Sequence, residues 1–282
     1  MRIAALAALA TTALFAQSKE PRPLEFRDIT YLTASGTEQK LDVYQNPSAG
    51  LSPVIVYFHG GAWWKGERAK SAGSFRSFTD MGFSAVSVDY RLAGVAPAPA
   101  GVQDARCALA WVAANAAKYH FDVNRIVAYG TSAGGHLALI AGMLPSPNEI
   151  DLPQCGEVPR VAAVLDFYGI GDVSLWLGKE HTSKEALAWL GPESGRASMG
   201  KKMSPVTYLR TGLPPVFMAH GDADPVVPAS QSVNLHEALD RLHVPNRLHI
   251  VPGGLHGGFD AAQKGLLMCA VGDFLKQQKI VD

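Results

Sequence analysis

The sequence predicts an α/β fold, with a mostly parallel central sheet and helices on both of its faces. Three observations carry this prediction. Strand-like apolar runs alternate with helix-periodic segments along most of the 282 residues. The runs are almost continuously apolar, as strands covered on both faces are, and do not alternate with polar residues. Hydrophobic residues make up 48% of the chain and charged residues 18%, enough to fill a large core.

The elements follow in order. Residues 17–24 read as a flexible lead-in. Residues 25–32 and 38–45 have strand character about the turn Thr33–Thr37, and their position suits an antiparallel edge. Apolar runs at 53–61, 83–90, 125–130, 160–169, 214–224 and 247–254 are the remaining strands. Pro214 and Pro215 precede their strand and do not interrupt it. Helices are expected over 102–120, 133–144, 229–243 and 260–278, the second stopped by Pro145. Residues 171–210 break the rhythm with Trp176, Trp189, several glycines and a helical stretch at 183–190. That segment is expected to form a small cap over the carboxyl edge of the sheet.

The first residues stand apart. Arg2 precedes an apolar run from Ile3 to Phe15, and Ala16 ends it with a small side chain. This pattern predicts a secretory signal peptide over residues 1–18, a mature domain over 19–282, and a periplasmic or secreted protein. No later run is long enough for stable membrane insertion. The 25 basic and 25 acidic side chains balance, and no basic stretch offers a footprint for nucleic acid. Nothing in the composition specifies an oligomeric state. Of the three cysteines, an exported chain can pair two and leave one over. Cys107 and Cys269 lie in apolar helical patterns and read equally well as buried free thiols. Neither CxxC nor a Cys/His cluster at metal spacing occurs, so no metal or other cofactor is expected.

The chemistry centres on Ser132, in Gly130-Thr131-Ser132-Ala133-Gly134. A GxSxG pattern alone is weak. Here it follows a predicted buried strand and opens a predicted helix, the setting of a strained elbow that lifts a serine above the sheet. The competing reading is a serine that caps the helix. A serine hydroxyl attacks only if a base takes its proton, and the base should be a histidine oriented by a carboxylate. His256 lies in a glycine-rich loop after the last strand and suits that role. His243 and His249, at a helix end and in a strand, read as structural, and His120, His136, His181 and His236 follow helix or loop positions with no acid-base context. Asp222 and Asp224 follow the preceding strand and are the candidate acids, although Asp-x-Asp-Pro also suits a turn into a helix. The glycine-rich loop His59–Trp64 follows the first central strand. It can point backbone N–H groups at a developing oxyanion, together with the N–H of Ala133. It does not fit the phosphate-binding GxxxxGK[ST] pattern. Trp63 and Trp64 line a pocket or pack in the core.

On "HGGAW" (59–63), "DYRL" (89–92), "GTSAGG" (130–135), "SPVTYL" (204–209), "PPVFMAHGDADPVVP" (214–228) and "LHGGF" (255–259), the chain resembles the α/β-hydrolase superfamily. More narrowly it is similar to hormone-sensitive-lipase-like and bacterial feruloyl- or acetyl-esterase-type carboxylesterases, over roughly residues 25–278. The resemblance implies a serine esterase acting on small or aromatic acyl esters. Ser132 is then the nucleophile, His256 the base and Asp224 the acid. Asp222 becomes a loop-shaping residue. The N–H groups of Gly61, Ala62 and Ala133 form the oxyanion hole. Independently of the resemblance, Trp63 and Trp64 are the candidate substrate-binding residues. Where the lipase-like branch has HGGG this chain has Ala62, which keeps the backbone donor. HGGxW is also similar to arylformamidases, which leaves amide hydrolysis on the same triad as the alternative.

Overall fold

The computed structural model describes residues 23–48, 50–177 and 183–282. The predicted signal peptide and His181 lie outside them. Eight strands form one sheet: β1 (Leu24–Ala34), β2 (Thr37–Gln45), β3 (Ser52–Phe58), β4 (Ser84–Val88), β5 (Phe121–Thr131), β6 (Ala163–Phe167), β7 (Val216–Gly221) and β8 (Asn246–Val251). Their spatial order is β1-β2-β4-β3-β5-β6-β7-β8. The β1/β2 and β2/β4 pairs are antiparallel and every other pair is parallel, so the expected hairpin does sit at one edge. β3, β4, β6 and β7 are buried along their whole length, which is why their sequences read as unbroken apolar runs.

The helices are α1 (Ala72–Asp80), α2 (Ala100–Ala114), α3 (Ala116–Tyr119), α4 (Ala133–Met143), α5 (Lys184–Leu190), α6 (Glu193–Lys202), α7 (Ser230–Arg241) and α8 (Ala261–Gln277). On one face of the sheet α1 and α8 bring Phe75, Phe78, Val271 and Phe274 against Tyr57, Tyr129, Leu165 and Phe217. On the other, α2, α4 and α7 bring Leu109, Leu137, Ile140 and Leu235 against Val56, Phe58, Ala128 and Met218. Nearly every residue of α4 is buried, as expected of a helix that is apolar all round.

The structure departs from the sequence reading in several places, among them α6, which the sequence does not lead one to expect. The helix expected over 102–120 is two, because Asn115 turns its Nδ2 back to donate to the Trp111 carbonyl at 2.9 Å and closes α2. α1 is a short helix that the sequence reading does not place, and its core contribution is Phe75 and Phe78, one turn apart. Cys107 on α2 is disulfide-bonded to Cys155, and Cys269 is exposed on α8, so neither is a buried free thiol.

The strand order places the site. From β3 the chain moves one way to β4, and β5 lies on the other side, which opens a crevice at the carboxyl ends of β3 and β5. Both glycine-rich motifs follow those two strands.

Candidate active site

Ser132 sits between β5 and α4 at φ 55° and ψ −122°, a backbone conformation that L-residues avoid. Its N–H donates to the Phe167 carbonyl at 2.9 Å, which ties the turn to β6. Glycine is required on both sides. A Cβ on Gly130 would stand 2.1 Å from the Gly134 carbonyl oxygen, and one on Gly134 would stand 2.0 Å from the Phe58 carbonyl oxygen. The pattern therefore lets strand, turn and helix approach each other. Ser132 is positioned as the residue before α4, yet its hydroxyl caps nothing, which removes the helix-cap reading.

The hydroxyl goes elsewhere. Ser132 Oγ lies 2.8 Å from His256 Nε2, and His256 Nδ1 lies 2.7 Å from Asp224 Oδ2. A carboxylate only accepts, so Nδ1 carries the ring proton and donates to Asp224. Nε2 is then free to accept from Ser132. The Asp224 side chain is fully buried, while His256 keeps 20% of its side chain exposed. Burial alone would raise the Asp224 carboxyl. Hydrogen bonds from His220, His256, Val227 and Val226 outweigh it and hold the group well below the usual carboxylate range. Asp222 is exposed and accepts the Gly253 N–H at 2.6 Å, so it shapes the loop and does not reach the imidazole. The ring of Tyr168, just after β6, packs edge-on to His256 with centroids 4.9 Å apart.

Opposite the serine, the loop after β3 turns through Gly61 at φ 118°, Ala62 at φ 54° and Trp63 at φ 55°. A Cβ on Gly61 would fall 2.0 Å from the Lys65 carbonyl oxygen. The loop is held by residues the motif does not contain. Tyr90 stacks on His59 at 4.4 Å and donates its hydroxyl to the His59 carbonyl at 2.9 Å. Arg91 is fixed to Asp104 of α2 by a buried ion pair at 2.7 Å. These contacts explain the "DYRL" stretch, whose function was not apparent from sequence.

A cleft of about 190 Å³ opens between these parts, lined by Ala62, Trp63, Ser132 and Ala133 with Ile170, Ser183, Glu185 and Val226. Ala133 is the first residue of α4, so its N–H has no intrahelical acceptor and faces the cleft end of the helix. Trp63 is fully buried and stacks on Trp189 of α5 with centroids 4.1 Å apart. It also donates its indole N–H to His136 Nδ1 at 3.2 Å, and His136 Nε2 donates to the Met203 carbonyl at 2.7 Å. Burial pushes the His136 imidazole down to about 4, so it links these elements as a neutral ring. Trp63 thus both packs in the core and walls the cleft. Trp64 is 47% exposed and does not line it. Ile170, Ser183, Glu185 and Val226 were not singled out by sequence. Ser183 and Glu185 lie in the 171–210 segment, whose involvement its tryptophans and broken rhythm did signal. Val226 follows the aspartate motif directly, and that proximity was the available hint.

A mostly parallel sheet with a serine elbow after β5, an acid after β7 and a histidine after β8 defines an α/β-hydrolase. Comparison with known proteins narrows the class. Residues 41–239 match the BD-FAE family model, and the chain belongs to that family. Esterase LipQ of Mycobacterium tuberculosis is 28% identical over 261 residues, covering 88% of this chain. The probable carboxylic ester hydrolase LipM of the same organism is 31% identical over 214 residues, covering 73% of this chain. The chain spans 61% of the length of LipQ and 49% of LipM. Among solved structures, butyrate-bound esterase 2 of Thermogutta terrifontis superposes with a TM-score of 0.77 at 27% identity, covering 93% of this chain and 96% of its own. A truncated carbohydrate esterase from gut microbiota gives a TM-score of 0.75 at 26% identity, covering 93% and 99%.

Proposed function

We propose that the protein is a serine carboxylic ester hydrolase of small acyl esters. Ser132 Oγ attacks the ester carbonyl while His256 Nε2 takes its proton, and Asp224 holds the ring in the accepting tautomer. The carbonyl oxygen becomes an oxyanion that the N–H groups of Gly61, Ala62 and Ala133 receive, each such donor being worth roughly 3–4 kcal/mol. Collapse expels the alcohol, which takes the proton from His256 and leaves an acyl-Ser132. Water, deprotonated by His256, then releases the acid and restores the serine.

The observation that carries this reading is the unbroken series from Asp224 through His256 to Ser132, at 2.7 and 2.8 Å, ending in the cleft. The relatives described as esterases agree with it. The cleft volume of about 190 Å³ compares with roughly 150 Å³ for a cavity that takes a benzene molecule, which favours short acyl groups or a single ring over long chains. The butyrate and propionate complexes of the Thermogutta enzyme point the same way. Export of the chain is part of the proposal, since a Cys107–Cys155 disulfide suits an oxidising compartment. Among the described residues no helix is long and apolar enough to cross a membrane.

Hydrolysis of p-nitrophenyl acetate and butyrate by the wild type and Ser132→Ala tests the assignment. The substitution is expected to lower kcat by at least ~10³-fold. Equal activity of the two proteins would sink it. A preference for N-formyl aryl amides over esters of the same size would move the reading to amide hydrolysis on the same residues.

A further inference from the structure

Behind Asp224 stands a second imidazole that the proposed chemistry does not use. His220 lies near the end of β7 and is fully buried. Its Nδ1 is 2.7 Å from Ser232 Oγ on α7. Its Nε2 is 2.9 Å from the Val227 carbonyl oxygen and 3.4 Å from Asp224 Oδ2. Both groups facing Nε2 are pure acceptors, so Nε2 carries a proton, which it donates to the Val227 carbonyl with Asp224 Oδ2 at the longer distance. Asp224 Oδ2 therefore faces two imidazole N–H groups, while Oδ1 accepts the backbone N–H groups of Val226 and Val227 at 2.8 and 2.9 Å.

We propose that His220 is a positioning residue for catalysis, clamping Asp224 from the side away from His256 and so setting how strongly that carboxylate supports the His256 imidazolium. The proposal rests on the Ser132–His256–Asp224 reading above. A ring that merely braced the turn would need only Val227 and Ser232, whereas this one also meets the carboxylate oxygen that serves His256. The charged and titratable groups around it are few. Asp224 faces it from the loop after β7 and Asp166 from β6, and α7 contributes only the neutral Ser232. Asp166 is buried, with Oδ1 lacking a hydrogen-bond partner among the described residues. Around His256 stand Asp224, Ser132 and Tyr168, whose phenol burial pushes up out of the working range.

The direction of the effect follows from the donor. An N–H bond to Asp224 Oδ2 draws negative charge away from the bond to His256 and lowers the basicity of that ring. Removing it should move the acid limb of kcat/KM to higher pH by roughly half a unit or less, since the 3.4 Å contact is longer than an ordinary hydrogen bond. The looser carboxylate should also cost roughly tenfold in kcat with KM unchanged.

The test is the pH–rate profile of the full chain on p-nitrophenyl acetate for wild type, His220→Leu, His220→Gln and His220→Asn, with melting temperatures alongside. His220→Leu should shift the limb upward and lower kcat. His220→Gln places an amide N–H near the Nε2 position and should restore most of both. His220→Asn reaches towards Ser232 but not Asp224, and should behave like His220→Leu even if His220→Leu fails to fold. A folded His220→Asn with the wild-type limb and kcat would overturn the proposal and leave His220 a brace. Failure of the underlying reading would look different, because the wild type would then match Ser132→Ala before any His220 variant was compared.

Discussion

Asp224→Asn changes one atom, and the structure says what that atom does. Asp224 Oδ1 accepts two backbone N–H groups, from Val226 at 2.8 Å and Val227 at 2.9 Å. Oδ2 accepts from His256 at 2.7 Å, with His220 at 3.4 Å. Asparagine offers one acceptor oxygen and one NH₂ group, so it must choose. With its NH₂ towards Val226 and Val227, donors would face donors, costing about 1–3 kcal/mol for each N–H left unpaired. The other orientation keeps the backbone bonds and turns the NH₂ towards His256. The ring must then present an unprotonated Nδ1, its proton moves to Nε2, and Nε2 can no longer accept from Ser132. Loss of the correct tautomer costs on the order of 10⁴ in kcat, or about 5.4 kcal/mol of barrier. Initial rates on p-nitrophenyl acetate near pH 8 measure this, with melting temperature as the check on folding. Asp222→Asn is the control, since the Asp222 side chain accepts the Gly253 N–H and does not bond His256, and it should retain kcat within about threefold. If Asp224→Asn kept a tenth of wild-type activity, or if Asp222→Asn lost as much, the assignment of the acid would be refuted.

Four further outcomes are expected. Cys155→Ser should lower the unfolding free energy by about 2–4 kcal/mol, because the Cys107–Cys155 bridge spans 48 residues; an unchanged urea midpoint would contradict it. Gly134→Ala should destabilise by more than ~2 kcal/mol or block folding, since its Cβ would lie 2.0 Å from the Phe58 carbonyl oxygen and backbone cannot move away cheaply; a soluble variant with wild-type stability would show that the elbow has slack. Burial raises the Asp166 carboxyl to about 7, against the opposing pull of His220 and the Gly169 N–H. A carboxyl with a raised folded pKa favours folding most below its unfolded value and loses that contribution as pH climbs from about 4 to 7. Asp166→Asn should therefore gain stability relative to wild type on going from pH 5 to pH 8, and an equal difference at both would argue against a titrating Asp166. Trp64→Ala should leave kcat/KM for acetate and butyrate esters within about twofold, since Trp64 does not line the cleft; a large rise in KM would place it in substrate binding after all.

What could be read from sequence and what could not divides along the range of the interactions. Ser132, Asp224 and His256 each stand in a short glycine- or proline-punctuated motif just beyond a strand, so residue type and local context pointed to them separately. Their chain order then joined them. His220 and Asp166 lie inside strands, where a polar residue among apolar ones gives no sign of which partner satisfies it. His136 read as a helix residue without context, because its partners Trp63 and Met203 come from 73 residues before it and 67 after it. The Cys107–Cys155 pairing is equally non-local. The break at Asn115 depends on one side-chain hydrogen bond, which helix periodicity does not register.

The same division explains how the site tolerates its own backbone. Ala62, Trp63, Ser132 and Tyr168 all have positive φ, at 54°, 55°, 55° and 44°; the first three line the cleft and Tyr168 packs against His256. Conformations of this kind cost on the order of 1–3 kcal/mol each, against a net stability of about 5–15 kcal/mol for a typical domain. Such a cluster persists only if the surroundings leave no relaxed alternative. For Ser132, the anchor is its N–H bond to Phe167 of β6. For Ala62 and Trp63, it is the indole held between Trp189 and His136, and the His59 ring held by Tyr90. Trp189 comes from α5, the same element that brings Glu185 to the cleft wall. The segment that walls the cleft thus also holds the loop proposed to receive the oxyanion, so a change in α5 that alters substrate preference should alter kcat with it.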